Sequence, residues 1–352
     1  MKILVIQQKM IGDVLASSII CNNLKLIYPE SKIDYLIYPY TTPVVENNPN
    51  IDTIILFKEE YRKSKMALLR FLFFIRKQKY DIVIDAYGKI ESNLVTAFSG
   101  ASTKIGLEKS YTRFLYTTTF KEITKPLTNA GTALENRLNL LNFTHSKVNF
   151  DIKPKIFLTD TEIQNAKNIL AANHVDFSKK IYMIGVLGSG KNKTYPFIFM
   201  AKILDSIVKN TNATLLFNYM SSQAEEAKAI FDLCQPKTQS NIKIEIVPGN
   251  IREFLSITYH CSALIGNEGG AVNMAKALNK PTFTIFSPWI IKESWNSFEN
   301  ETSTVSVHLN DFKPELYGKK SAKEMKSEGL SLYNKFTPDL FLPILENYIK
   351  FN

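Results

Sequence analysis

Short apolar segments alternate with longer amphipathic ones along most of this chain, and the alternation runs twice. Residues 3–6, 33–38, 53–57 and 82–85 read as buried strands, and 14–28, 61–79 and 91–98 as the helices between them. Strands this short and this uniformly apolar need cover on both faces, which is the condition of a parallel sheet with helical crossovers. Residues 106–130 read as irregular and polar, and 132–141 as a helix. Lys153-Pro154-Lys155 then breaks the pattern.

The alternation resumes beyond that break. A helix over 161–173 precedes strand 182–186, helix 196–209, strand 214–217, helix 223–233 and strand 243–247. Asn250 is placed to cap a helix that carries Ile251, Phe254, Leu255 and Thr258 on one face. Strand 263–265, helix 270–278 and strand 282–285 follow. Residues 309–335 read as a long polar loop and 338–350 as a closing helix. The expected fold class is α/β, with two doubly wound domains over 1–155 and 156–335 and a closing segment over 336–352. Ligands of such sheets bind outside the carboxyl ends of the strands, so the cleft between the halves is the expected site.

The length of 352 residues suits two domains. Lys and Arg number 43 and Asp and Glu 33, a net charge of +10 that favours an anionic partner. Interleaved aromatic and basic residues occur only around 61–80, which argues against nucleic acid. That segment holds seven basic residues and no acid. It reads either as a helix on an anionic membrane surface or as a sheet-covering helix with a basic outer face. The stretch 66–75 is interrupted by Arg70 and falls far short of the ~20 residues of a spanning helix. The apolar run at the N-terminus is too short for a signal-peptide core. Cys21, Cys234 and Cys261 form no CxxC pair, which fits a reducing cytosol.

Three loops are placed to carry chemistry. In Lys9-Met10-Ile11-Gly12-Asp13, Gly12 is expected to turn the backbone after the first strand. Asp13 opens the next helix, either as an N-cap or as a general base. In Gly185-Val186-Leu187-Gly188-Ser189-Gly190-Lys191-Asn192, the phosphate-loop pattern GxxxxGK[ST] fails at Asn192. Gly188 and Ser189 still offer backbone N–H groups, and Lys191 and Lys193 offer charge for phosphate. In Gly266-Asn267-Glu268-Gly269-Gly270-Ala271-Val272-Asn273, two glycines lead into a helix whose N-terminus suits a diphosphate. Glu268 would repel phosphate, so sugar or ribose hydroxyls are its expected partners. No DxD triplet occurs, and His145, His174, His260 and His308 show no metal-ligand spacing. No GxSxG elbow and no G-x-G-x-x-G after Ile6 is present.

Four segments together resemble glycosyltransferase family 9, the lipopolysaccharide heptosyltransferases and their relatives. They are Ile11-Gly12-Asp13-Val14-Leu15, Tyr80-Asp81-Ile82-Val83-Ile84-Asp85-Ala86-Tyr87-Gly88, Lys193-Thr194-Tyr195-Pro196, and residues 266–277 with Lys280-Pro281-Thr282 and Phe286-Ser287-Pro288. The resemblance implies a GT-B fold with the donor held mostly by the second Rossmann-like domain. It implies inverting, metal-independent transfer without a cofactor, from a nucleotide-diphosphate sugar resembling ADP-heptose to an anionic glycolipid or glycan such as a lipopolysaccharide core. It puts the catalytic base on Asp13, a diphosphate contact on Lys193, and the donor segment on Glu268, Gly269, Gly270 and Asn273. Glu268 stands where the family has aspartate, Asn273 where it has histidine, Tyr195 where it has tryptophan, and Gln7 where a basic residue is common. Gly12, Lys104, Lys109, Arg113 and Arg137 are candidates to hold the acceptor. A lipid-anchored acceptor would place the enzyme in the cytoplasm, at the inner membrane face. A nucleotide-sugar epimerase or hydrolase that uses Asp13 on water is the competing reading of the same architecture.

Overall fold

The computed structural model describes residues 1–318 and 322–352 and divides into two units. The first unit comprises Met1–Phe157 with Glu293–Ser297, and the second Leu158–Lys292 with Phe298–Asn352.

The first unit is built on strands β1 (Lys2–Ile6), β2 (Lys32–Ile37), β3 (Thr53–Leu56), β4 (Ile82–Asp85), β5 (Thr103–Leu107) and β6 (Thr118–Phe120). They pair in parallel in the order β3-β2-β1-β4-β5-β6, so the order reverses between β1 and β4. Ile3 to Ile6 are fully buried because both faces of β1 are covered. On one face Leu4 and Ile6 pack with Phe71, Leu72 and Ile75. The helix Ile11–Ile27 is buried from Val14 through Leu24. Two of its buried polar residues are bonded to backbone: Ser18 donates to the Leu15 carbonyl, and Asn23 to the carbonyls of Ile19 and, 128 residues on, Asp151.

The second unit carries β7 (Ile181–Gly185), β8 (Thr214–Phe217), β9 (Ala263–Asn267), β10 (Thr282–Ile285) and β11 (Thr304–Val307). They too are parallel, in the order β11-β10-β9-β7-β8, with the reversal between β9 and β7. There the two backbones press together: a Cβ on Gly266, whose φ is +141°, would stand 2.4 Å from the Gly185 carbonyl oxygen. The terminal helix Leu342–Phe351 adds Leu345, Tyr348 and Ile349 to the same core.

Several expectations are corrected. The helix expected over 61–79 is two helices, Glu60–Lys63 and Lys65–Lys77. Ser64 separates them with extended backbone and caps the second by accepting from the Ala67 N–H. The irregular stretch 106–130 contains β6 and the end of β5, whose Thr-Lys-Ile-Gly-Leu gives little apolar signal. Residues 243–247 are not a strand. The preceding Ile242 makes one bridge to Leu215, and turn bonds from the Ile246 N–H to the Lys243 carbonyl and the Val247 N–H to the Glu245 carbonyl then close the segment. The long polar loop over 309–335 contains helices Leu309–Phe312, Ala322–Ser327 and Gly329–Lys335. Leu309, Met325, Leu332 and Tyr333 from this stretch lie in the core, and sparse apolar anchors among polar residues hid them. Part of it, residues 319–321, lies outside the described residues.

In the second unit, the helices Asp160–Ala172 and Ile251–His260 are joined by Arg252, whose Nε and Nη2 donate to the two Glu162 oxygens at 2.6 Å each. Those bonds hold the Glu162 carboxyl at about 2, below its usual 4.5. A carboxyl depressed in the folded state stabilises fully above its unfolded value and loses that contribution as pH falls toward the folded one. Stability should therefore decline between about pH 4.5 and 2 partly through this pair. Urea unfolding across that range should show a shallower acid slope for Glu162→Gln than for the natural chain.

Candidate functional site

In each sheet the point where strand order reverses opens a crevice at the carboxyl edge, the place where ligands of such sheets bind. In the first unit that point lies between β1 and β4, where Ile6 aligns with Asp85. Asp13 sits just beyond β1. It is not an N-cap, because Met10 holds that position and Asp13 is the third helical residue. Its Oδ2 accepts the Met10 N–H at 3.3 Å, and its Oδ1 accepts from Arg137 Nη2 at 2.7 Å. The carboxylate is thus negative at a helix N-terminus, where the dipole favours it. Its side chain stays 27% exposed.

Arg137 was expected to bind acceptor. Instead its donors are engaged within the unit: Nη2 on Asp13, Nε on Ser17 Oγ and Nη1 on the Ala133 carbonyl. Ser17 in turn donates to Gln7 Oε1, and Gln7 Nε2 donates to the Lys9 carbonyl in the loop before Asp13. This chain of bonds fixes the carboxylate from two sides. Gly12 lies in the first turn of the Ile11–Ile27 helix and is absent from the positive-φ glycines, so it does not make the tight turn expected of it.

Asp85 closes the other side of the crevice. It is 1% exposed and accepts from the N–H groups of Tyr87 and Gly88 and from the Tyr116 hydroxyl. Burial pushes its carboxyl up, and the bonds from Gly88 and Tyr116 work against that. Lys109 donates to the Gly88 carbonyl at 2.7 Å and so braces the same loop. Arg113 is exposed beyond β5, 3.6 Å from Glu108, on an open groove of about 630 Å³ with Phe114 and Tyr116. Lys104 is not brought to these loops. It lies near the amino end of β5, level with Val83, and its Nζ points to the Ala97 carbonyl at the end of the helix Ile90–Phe98.

In the second unit the reversal lies between β7 and β9, and both glycine-bearing loops meet there. Asn267 ties them together from a buried position. Its Nδ2 donates to the carbonyls of Gly185 and Val186, and its Oδ1 accepts from the Tyr195 N–H. Gly188 is buried and its N–H donates to Thr194 Oγ1, so that group is spent inside the loop rather than offered to a ligand. A Cβ there would meet the Lys193 carbonyl oxygen at 2.1 Å, which explains the glycine by close packing. Ser189 is exposed at the loop tip.

Lys193 lies 3.1 Å from Glu268 Oε1 and 5.5 Å from the centre of the Trp289 ring. Glu268 is therefore the counter-ion of Lys193, a pairing that separate readings of the two loops did not anticipate. Trp289 Nε1 and Ser287 Oγ both donate to the Asn192 carbonyl, holding the lysine's turn. Gly269 takes φ +150° as N-cap of the helix Gly270–Ala277, and nothing stands within 4 Å of a Cβ on either glycine. That helix start is open to a ligand. Asn273 is half-buried one turn on, its N–H on the Gly269 carbonyl. Among the described residues no three His, Cys, Asp or Glu side chains gather to hold a metal ion. The three thiols are buried, and burial raises each.

Two parallel α/β sheets, each with polar loops at its reversal point, define a two-unit α/β architecture with a candidate ligand site on each sheet. Residues 69–324 match the model of glycosyltransferase family 9 (heptosyltransferase), and the chain belongs to that family. It is a heptosyltransferase-family glycosyltransferase. The chain is 25% identical to lipopolysaccharide heptosyltransferase 1 of Campylobacter coli over 81% of this chain and 84% of that protein. Its fold matches a glycosyltransferase family 9 crystal structure from Veillonella parvula DSM 2008 at a TM-score of 0.78, with 16% identity over 99% and 97% of the two chains. It also matches E. coli ADP-heptose lps heptosyltransferase II at 0.69, with 15% identity over 96% and 99%. These likenesses bear out the two-sheet α/β fold and the family expected from the motifs.

The Arg137 network predicts a separable effect. Arg137→Ala frees the Asp13 carboxylate to rotate, and misplacement on that scale costs about a hundredfold in turnover. Donor affinity, measured by calorimetry, should stay within about twofold, because donor contacts are expected in the other unit.

Proposed function

We propose that this chain is an inverting, metal-independent transferase that moves a heptose-like sugar from a nucleotide diphosphate to a lipopolysaccharide core or related anionic acceptor. The observation that carries this reading is Asp13. It is a partly exposed carboxylate at the β1–β4 reversal point, oriented by Arg137 and by the Met10 N–H. The named relative in E. coli uses ADP-heptose, and a donor of that kind is proposed here.

In the proposed reaction Asp13 takes the proton of an acceptor hydroxyl. The hydroxyl oxygen bonds to the anomeric carbon while the bond from that carbon to the diphosphate breaks on the opposite face. The electron pair leaves with the diphosphate, and configuration inverts. A general base of this kind contributes about 10²–10⁴-fold. The departing charge falls to Lys193 and to the free N–H groups at the start of the Gly270–Ala277 helix. Donors of that type are worth ~3–4 kcal/mol each where charge develops. When the diphosphate takes Lys193, Glu268 is released to the sugar hydroxyls. Gly269 and Gly270 let the phosphate approach, and Asn273 and Ser189 line the same loops. Arg113 and the net charge of +10 favour an anionic acceptor. A lipid-anchored acceptor places this activity at the cytoplasmic membrane face.

Incubation with ADP-heptose and a heptose-accepting core oligosaccharide, followed by mass spectrometry, tests the reading. Asp13→Asn should lower turnover at least about 10²-fold while donor binding persists, since Asn keeps the helix contact but accepts no proton. Activity should survive EDTA. Turnover of Asp13→Asn within tenfold of the natural chain, or rescue of a chelated enzyme by Mg²⁺, overturns the corresponding part.

Donor affinity supplies a second check. Lys193→Ala should weaken ADP-heptose binding by about 10–100-fold, the equivalent of a charge-assisted contact. Lys191→Ala should matter less. Calorimetric titration decides between them, and a larger loss for Lys191→Ala would move the phosphate contact to that residue.

A further inference from the structure

The helix Lys65–Lys77 has two apolar faces, and only one of them packs on the protein. Leu68, Phe71, Leu72 and Ile75 recur at helical spacing and lie on the sheet. The opposite stripe, Met66, Leu69, Arg70, Phe73 and Lys77, has the same period and faces solvent. Met66 is 59% exposed, Phe73 53% and Leu69 41%, with Phe74 beside them at 46%. A surface helix ordinarily turns charged and polar residues outward there.

Basic side chains border this apolar stripe. Lys65, Arg70, Arg76 and Lys77 all lie on the helix, and among the described residues none has a carboxylate within ion-pair distance. Arg62, by contrast, is paired with Glu91. An apolar wedge rimmed by unpaired cations matches a bilayer interface. The rings and thioether enter the acyl boundary, while Lys and Arg extend along their alkyl stems to lipid phosphates. A second copy of the chain fits less well, because a two-fold contact through this face brings the unpaired cations of both copies into one interface without added carboxylates from this helix.

We propose that the outer face of the helix Lys65–Lys77 docks this protein on an anionic lipid bilayer. No helix among the described residues is long and apolar enough to cross a membrane, so the contact is interfacial. The inference deepens the reading of a lipid-anchored acceptor and takes its purpose, though not its evidence, from that reading. Docking would hold the enzyme on the surface where its acceptor is anchored.

The test is sedimentation of the full chain with vesicles, with neither donor nor acceptor present. The chain should pellet with phosphatidylcholine vesicles containing phosphatidylglycerol, and not with phosphatidylcholine alone. Added salt should weaken the binding. Leu69→Ser with Phe73→Ser should reduce partitioning at least about tenfold, since two apolar side chains no longer leave water. Arg70→Glu with Lys77→Glu should do the same, at about fivefold or more per charge. Both pairs are exposed, so circular dichroism and melting should match the natural chain. Failure of the natural chain to bind the anionic vesicles overturns the proposal, as does binding that neither double variant weakens. A dimer that both variants dissociate, with no vesicle binding, assigns the face to a second copy instead. Transfer to a water-soluble acceptor fragment is measured separately, so loss of docking and loss of the transferase reading are distinguishable.

Discussion

Parallel strands covered on both faces confine polar chemistry to their ends, and both halves of this chain are organised by that confinement. Ile3 to Ile6 have no exposure at all, and the next residues, Gln7 and Gln8, are buried and polar. Asp85 ends β4 and Asn267 ends β9 in the same way. A buried amide or carboxyl without partners costs ~1–3 kcal/mol or more; the Gln8 amide bears that cost, its Oε1 and Nε2 having no hydrogen-bond partner among the described residues, while the other three are satisfied locally. Gln7 is bonded to Ser17 and Lys9, Asp85 to Tyr87, Gly88 and Tyr116, and Asn267 to Gly185, Val186 and Tyr195. The partners lie in the loops beyond the strands. Satisfying the buried group therefore positions the loop, and the loops carry Asp13, Lys193 and Glu268.

How far this was legible in the sequence follows from the same constraint. Strands buried on both faces are short and mostly apolar, so β1, β4, β7 and β9 stood out. The strand β6 stands at one edge of its sheet with β5 next to it, and β11 at the edge of its own. Their Thr, Lys and Ser residues dilute the signal. Asp13, Lys193 and the Gly269-Gly270 turn were visible because loop chemistry leaves local patterns. Arg137 was visible only as a charge. Its partner is 124 residues away, and no local pattern reports that pairing. Asn267 lay within a recognised motif, yet its role depends on carbonyls 81 and 82 residues distant. Gly188 was identified for the wrong physical reason: its absent Cβ makes room for the Lys193 backbone rather than for a ligand.

The basic segment over 61–80 shows that two readings of one sequence need not exclude each other. A helix covering the sheet needs a stripe near 100° wide, and Leu68, Phe71, Leu72 and Ile75 supply it. Met66, Leu69 and Phe73 are surplus to that need. Sequence alone counts apolar residues without saying which face each takes, because the stripe's phase is set by the sheet. Once the sheet fixes the phase, the surplus becomes a surface feature.

The pairing of Lys193 with Glu268 bears on how a phosphate ligand enters the second unit. The lysine side chain is 30% exposed and the carboxylate 9%, and Glu268 Oε1 makes an ion pair without a hydrogen bond. Partly solvated pairs of this kind are worth about 0.2–1 kcal/mol, whereas a charge-assisted contact to a diphosphate is worth roughly 1.5–3 kcal/mol. Exchanging the carboxylate for the ligand is therefore favourable at the lysine. It leaves Glu268 nearly buried and without its cation, which is costly unless new donors reach it. Sugar hydroxyls are such donors, and a nucleotide lacking the sugar has none to place there. On the proposed reading, discrimination between donor and free nucleotide rests on this carboxylate, because the exchange that admits the phosphate makes the sugar necessary.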